Sequence, residues 1–216
     1  MKLKCRNLTV FLLLAMGGCA AIPEPSQNLH YREAMLLDQA GDLLHAREAL
    51  QLAALDEDGK QAAEAYLANI AIRKQKAEVM IPDFQAKVRN TQRRLTLGQT
   101  YFKLAICNEL LDKRERALSQ YDKALEYQPG QSLILMRRGL LKEQMGALAE
   151  AEADLAQACE SDHTGASAHL NLGLFLCRRG RPEEARPHFR FLQEKGSDYA
   201  PLLAARIADG TEAGNP

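Results

Sequence analysis

The chain has no apolar run long enough to cross a bilayer. Its greasiest stretch, residues 8–16, is short and carries Thr9, where a spanning helix needs about 20 consecutive apolar residues. It also lacks net charge, with 28 basic against 28 acidic side chains. Setting aside Lys2, Lys4 and Arg6 at the amino end leaves 25 against 28, or −3, which attracts no polyanion and argues against a nucleic-acid partner. Strand-like alternation is absent, and no proline falls between Pro25 and Pro82. No serine, cysteine or carboxylate stands in a catalytic motif, so neither an enzyme nor a small-molecule substrate is expected. The five histidines, His30, His45, His163, His169 and His188, show no ligand spacing with one another or with cysteine, so no metal and no cofactor is expected. Cys107, Cys159 and Cys177 are odd in number. At about 10 Å per packed helix and 1.5 Å rise per residue they fall beyond disulfide reach, and they are predicted to be free and mostly buried.

What is present begins with the leader. A basic start, MKLKCRN, precedes the apolar run, which ends in Gly17-Gly18-Cys19. This order is that of a secretion signal, and the small residues admit a protease close to the backbone. The stretch FLLLAMGGCAA resembles a bacterial lipobox, departing from it at Met16, where leucine is usual. The resemblance implies cleavage before Cys19 and a diacylglycerol and an N-acyl chain on that residue. About two chains suffice for stable anchoring, so three would hold the protein at the membrane. Ala20 after the cysteine implies, by the same resemblance, the outer membrane and its periplasmic face. A plain cleaved signal with an incidental cysteine is the alternative. The following AAIPEPSQN holds Pro23 and Pro25 and reads as a short tether.

Beyond Asn28 the chain is rich in Ala, Leu, Glu, Gln, Arg and Lys, which predicts an all-helical body. A period of 34 runs through it: Ala105, Gly139 and Gly173; Asp112, Gly146 and Gly180; Ala117, Ala151 and Ala185; Tyr121, Leu155 and Phe189; Ala124, Ala158 and Leu192. Residues 99–129, with Tyr101, Leu104, Ala105, Ala117, Tyr121, Ala124 and Pro129, resemble the tetratricopeptide repeat most closely. The resemblance implies an all-α, right-handed superhelical solenoid of helix hairpins. Small residues at Ala105, Gly139 and Gly173 on the first helices and Ala117, Ala151 and Ala185 on the second let antiparallel helices approach to about 8 Å rather than about 10. Gly146 and Gly180 suit left-handed helix ends, and Asp112 tolerates one. A helix over about residues 199–208 would cap the exposed apolar end.

Upstream, Ala34, Gly41, Ala46, Leu50 and Ala53 repeat the same internal spacings, but Ala34 lies 71 residues before Ala105, three more than two periods. Residues 60–97 read as a degenerate repeat in which Pro82 ends a long first helix, or else as a hinge separating one repeat from three. The expected organisation is a signal peptide over 1–18, a tether over 19–28, degenerate repeat-like helices over 29–97, three full units over 98–197, and a capping helix and tail over 198–216.

In the family the chain resembles, first helices line a concave groove. The matching positions here are Phe102 and Ile106, Met136 and Leu140, and Leu170 and Leu174, extended by Tyr31 and Met35 if the first unit stacks in line. An apolar groove suits a helix or an extended peptide. Burial within the chain's own core is the alternative, since both share one periodicity. Arg137 and Asn171 alone stand where the chaperone-binding subclass needs a carboxylate clamp, so capture of an acidic carboxyl terminus is not expected. Two function classes follow from the resemblance. One is a lipid-anchored scaffold binding a peptide or helix of an envelope protein during pilus or secretin assembly. The other is an adaptor regulating peptidoglycan synthases or hydrolases.

Overall fold

The structure, a computed structural model, describes residues 28–162 and 165–213. The expected signal peptide, Cys19 and the expected tether up to residue 27 lie outside the described residues, as do His163 and residues 214–216. All the regular structure among the described residues is helical: α1 (Leu29–Ala40), α2 (Leu43–Ala53), α3 (Glu57–Asn90), α4 (Arg94–Leu110), α5 (Arg114–Tyr127), α6 (Ser132–Gln144), α7 (Leu148–Ser161), α8 (Ala166–Arg178), α9 (Pro182–Glu194) and α10 (Ala200–Ala213). Two compact units divide within α3, Met1–Ile70 and Ala71–Pro216.

In the first unit α1 and α2 pair as a hairpin. Asn28 caps α1 by accepting the Tyr31 amide at 2.9 Å, and its side-chain amide donates to Asp56 at 2.9 Å. Asp42 caps α2, accepting the His45 amide at 3.3 Å and contacting His45 Nδ1 at 2.8 Å. Ala34, Ala46, Leu50 and Ala53 are buried, as the 34-residue frame requires. Tyr66 of α3 closes the unit, its ring edge-on to Tyr31 at 6.4 Å and its hydroxyl donating to Asp38.

In the second unit α4/α5, α6/α7 and α8/α9 form successive hairpins, and α10 packs on α8 and α9. Each hairpin closes in the same way. Asp112, Gly146 and Gly180 have φ of 56°, 81° and 71°. The next amide then bonds back to the helix end: Lys113 to Asn108, Ala147 to Lys142 and Arg181 to Leu176, each at 2.9 Å. Within the hairpins Ala105, Ala117, Ala151 and Ala185 are fully buried, and so are Tyr121 and Leu155 beside them. Phe189, at the equivalent position of the last unit, is half-buried.

The crossing positions differ in what they meet. A Cβ on Gly139 would lie 2.9 Å from Leu155 Cγ and 3.1 Å from the Ala151 carbonyl oxygen, both on the helix that follows. A Cβ on Gly173 would lie 2.6 Å from Leu203 Cδ2, on the capping helix rather than on α9. So the tightest neighbour of the last glycine is the cap, which here occupies the seat of a following repeat. That cap runs to Ala213, past the expected end near residue 208, with Gly210 packed on Pro182.

Ion pairs tie neighbouring hairpins. Arg138 of α6 grips Asp154 of α7 with two bonds of 2.6 and 2.7 Å and reaches Asp122 of α5 at 2.8 Å. Lys142 adds a 3.0 Å contact to the same buried Asp154. Arg178 of α8 holds Glu143 of α6 at 2.7 and 2.9 Å.

Residues 60–97 depart from expectation. Instead of a hairpin broken at Pro82, α3 is one helix of 34 residues with Pro82 inside it. Proline in a helix forfeits one backbone bond and crowds the carbonyl four residues back, at about 3 kcal/mol. The helix-favouring residues on both sides, in KQKAEVM and FQAKV, carry the helix across that defect.

Two outcomes follow. Pro82→Ala should raise stability in chemical denaturation, by up to about 3 kcal/mol; an unchanged midpoint would mean that the helix ends there in solution. Gly173→Ala should cost about 1–3 kcal/mol by overpacking Leu203. In a Leu203→Ala background most of that cost should vanish, and simple additivity of the two substitutions would exclude this contact.

Candidate functional site

Along α4, Leu95, Phe102 and Ile106 lie within about 40° of one another at 100° per residue, forming one apolar strip. Leu95 is 60% exposed, and Phe102 and Ile106 are half-buried, the Phe102 ring standing 6.1 Å from Tyr121. On α6, Leu133 is also partly exposed.

Further along, the expected groove closes. Met136, Leu140, Leu170 and Leu174 are only 3, 2, 0 and 3% exposed. The groove assignment is corrected at these four positions: they are core. First helices also pack on one another, α6 on α8 and α8 on α10, so the stripe becomes their seam. Tyr31 is likewise buried inside its own unit.

The polar residues at the clamp positions are also internal. Arg137 lies 3.6 Å from Glu109, and Tyr121 donates its hydroxyl to the same carboxylate. The Tyr121 phenol is held well above its ordinary pKa by burial and then by the Glu109 charge. Arg137 is thus engaged in joining α4, α5 and α6, and Asn171 is fully buried.

A recess of about 650 Å³ opens where the carboxyl half of α3 faces α4 and α5. Arg89, Lys113, Arg116 and Lys123 line it, and among the described residues no carboxylate does. Its aromatic wall is built up by Tyr101 stacked on Tyr127 at 5.7 Å, with Lys123 Nζ 5.4 Å from the Tyr101 ring centre. Reading residues 60–97 as a hairpin broken at Pro82 hid this recess, because its outer wall is the uninterrupted end of α3.

Cys107, Cys159 and Cys177 are free, the first two buried and the third half-buried. Burial pushes the Cys107 thiol up to about 11 and the Cys159 thiol up to about 12, Glu160 adding to the second; Cys177 is raised by burial against the pull of Arg178 and Arg206. Three of the cysteines and histidines, which no sequence spacing links, meet in space. Cys159, His169 and His188 bring their donor atoms within 4.8 Å of one another. Burial lowers the pKa of His188, favouring its neutral form.

No family model matches the chain, and no curated protein sequence does. Among solved structures, a tetratricopeptide repeat protein from Parabacteroides merdae ATCC 43184 is 23% identical, with a TM-score of 0.52, covering 84% of this chain and 70% of that one. The crystal structure of MamA is similar at 16% identity and a TM-score of 0.49 over 76% of this chain and 94% of that one. A thermophilic tetratricopeptide repeat protein from Thermus thermophilus is similar at 20% identity and a TM-score of 0.46 over 84% and 97%. The fold is all-α, that of tetratricopeptide hairpins closed by a carboxyl-terminal helix, as the resemblance implied.

At pH 8 a thiol with a pKa of about 11 is ionised to the order of one part in a thousand, and thiolate is the reactive form. Cys107 and Cys159 should therefore label with iodoacetamide far more slowly than Cys177 in the native chain, all three becoming equal in denaturant. Peptide mapping after timed quenching reads this, and fast native labelling of Cys107 or Cys159 would contradict their burial.

Proposed function

We propose that the chain is a membrane-anchored scaffold that docks a helix or peptide of an envelope protein during pilus or secretin assembly. The observation that carries the reading is the apolar strip of Leu95, Phe102 and Ile106, left accessible at the start of a stack whose later stripe is sealed. A docked segment would lay an apolar face on that strip, using residues three and four apart as anchors. Phe102 and Leu95 are its candidate contacts. Met136, Leu140, Leu170 and Leu174 serve by keeping the hairpins rigid behind it.

Anchoring rests on the sequence pattern around Cys19, which implies lipid on that cysteine and retention at the outer membrane. A tethered scaffold meets its partner at raised effective concentration, so modest affinity at a small strip suffices. The basic recess beside α4 would favour a partner carrying acidic side chains next to its apolar face.

Leu95→Asp and Phe102→Glu should each reduce recovery of an envelope partner in cross-linked pull-downs at least tenfold, with circular dichroism nearly unchanged; the melting temperature should hold for Leu95→Asp and fall for Phe102→Glu, whose ring packs on the Tyr121 cluster. Retained capture by both variants would rule out the strip. Cys19→Ser should move the protein from the membrane fraction to the soluble one, and continued sedimentation with membranes would rule out the anchor.

A further inference from the structure

We propose that Cys159, His169 and His188 form a binding site for a zinc-class divalent ion that pins one hairpin to the next. The three residues come from three helices: Cys159 from the last turn of α7, His169 from the first turns of α8, and His188 from the middle of α9. His169 Nδ1 and His188 Nδ1 stand 3.0 Å apart, and one ring nitrogen from each histidine and the Cys159 sulfur lie within 4.8 Å of one another. In a tetrahedral site with metal–nitrogen bonds of about 2.0 Å and a metal–sulfur bond of about 2.3 Å, neighbouring donors are separated by about 3.3 to 3.6 Å. The imidazole pair is already near that spacing, and the sulfur, within 4.8 Å of both, needs a closure of at most about 1.3 Å.

The surroundings fix the rings. His169 lies flat against Phe191, with centroids 3.7 Å apart and planes 16° apart, and its ring centre is 5.2 Å from that of His188. A ring held by stacking loses little freedom on ligation. Cys159 is buried and both histidines are partly exposed, so solvent reaches the site from the imidazole side. One thiolate and two imidazoles form a soft-to-borderline donor set that suits zinc and its late first-row neighbours, whereas magnesium and calcium prefer all-oxygen cages. Three protein donors leave a fourth position for water or for a group brought by a partner.

Without metal, the two Nδ1 atoms share one hydrogen, donated by one ring and accepted by the other. Binding moves that proton to Nε2 of the donor ring, leaves a lone pair on each Nδ1, and releases the thiol proton to solvent, so each chain that loads one ion releases one proton. The ion joins α7 of one hairpin to α8 and α9 of the next, which is a mechanical role independent of the partner strip.

The test uses the full chain, stripped with a chelator and desalted. Titration with zinc chloride should show one ion per chain and a rise in melting temperature. Cys159→Ser and His188→Gln should each weaken binding at least tenfold, while Cys107→Ser and Cys177→Ser leave it unchanged. Cobalt(II) added to the unsubstituted chain should give thiolate-to-cobalt charge transfer in the near ultraviolet with strong tetrahedral d–d bands, a readout that does not depend on any variant folding. Zinc uptake undiminished in Cys159→Ser, or a cobalt spectrum without the thiolate band, would overturn the assignment.

Discussion

The second unit depends on helices coming closer than ordinary side chains permit. Gly139 has no room for a methyl group between itself and Leu155, and Gly173 has none beside Leu203. Ala105, Ala117, Ala151 and Ala185 are sealed at the equivalent crossings. Once these contacts set the interaxial distance, larger neighbours have defined places: Tyr121 and Leu155 fill the flank, and Arg138 can reach Asp154 with both arms. A buried carboxylate is tolerated because two cations, Arg138 and Lys142, surround it at bonding distance. Small residues and buried charge are therefore parts of one arrangement, the first creating the proximity that the second requires.

That proximity also decides what is left for recognition. When first helices touch each other, the stripe between them becomes interior, and among the described residues its opening end, on α4, stays exposed. The same closeness draws Arg137 onto Glu109, so a residue placed to greet a carboxylate from outside satisfies one from within. Hairpin stacking thus converts most of a candidate binding face into structural material and leaves a short accessible segment for the proposed recognition.

Much of the architecture was legible because it obeys a fixed interval. The five 34-residue registers located the small crossings, the left-handed turns at Asp112, Gly146 and Gly180, and the early unit around Ala34 and Gly41. Three features were not. Met136 and Leu170 look alike whether buried or exposed, since an apolar stripe has one period in either case. Pro82 suggested a break, because the cost of proline is local whereas the helix formers that offset it are spread over the flanking turns. Cys159, His169 and His188 have no ligand spacing along the chain, yet the repeat frame held the clue. His169 lies one turn before Gly173, and His188 one turn after Ala185, so both fall on the faces that their hairpin closes together; Cys159 follows Ala158, where the next hairpin stacks.

Leu203 gives the carboxyl end of the molecule a particular character. By filling the hollow over Gly173 it makes, from the capping helix, the contact that Leu155 makes with Gly139 inside a single hairpin. A cap held this way belongs to the last crossing: removing it would leave a void beside Gly173 where Leu203 sits, while Gly139 would keep the seal its own hairpin provides.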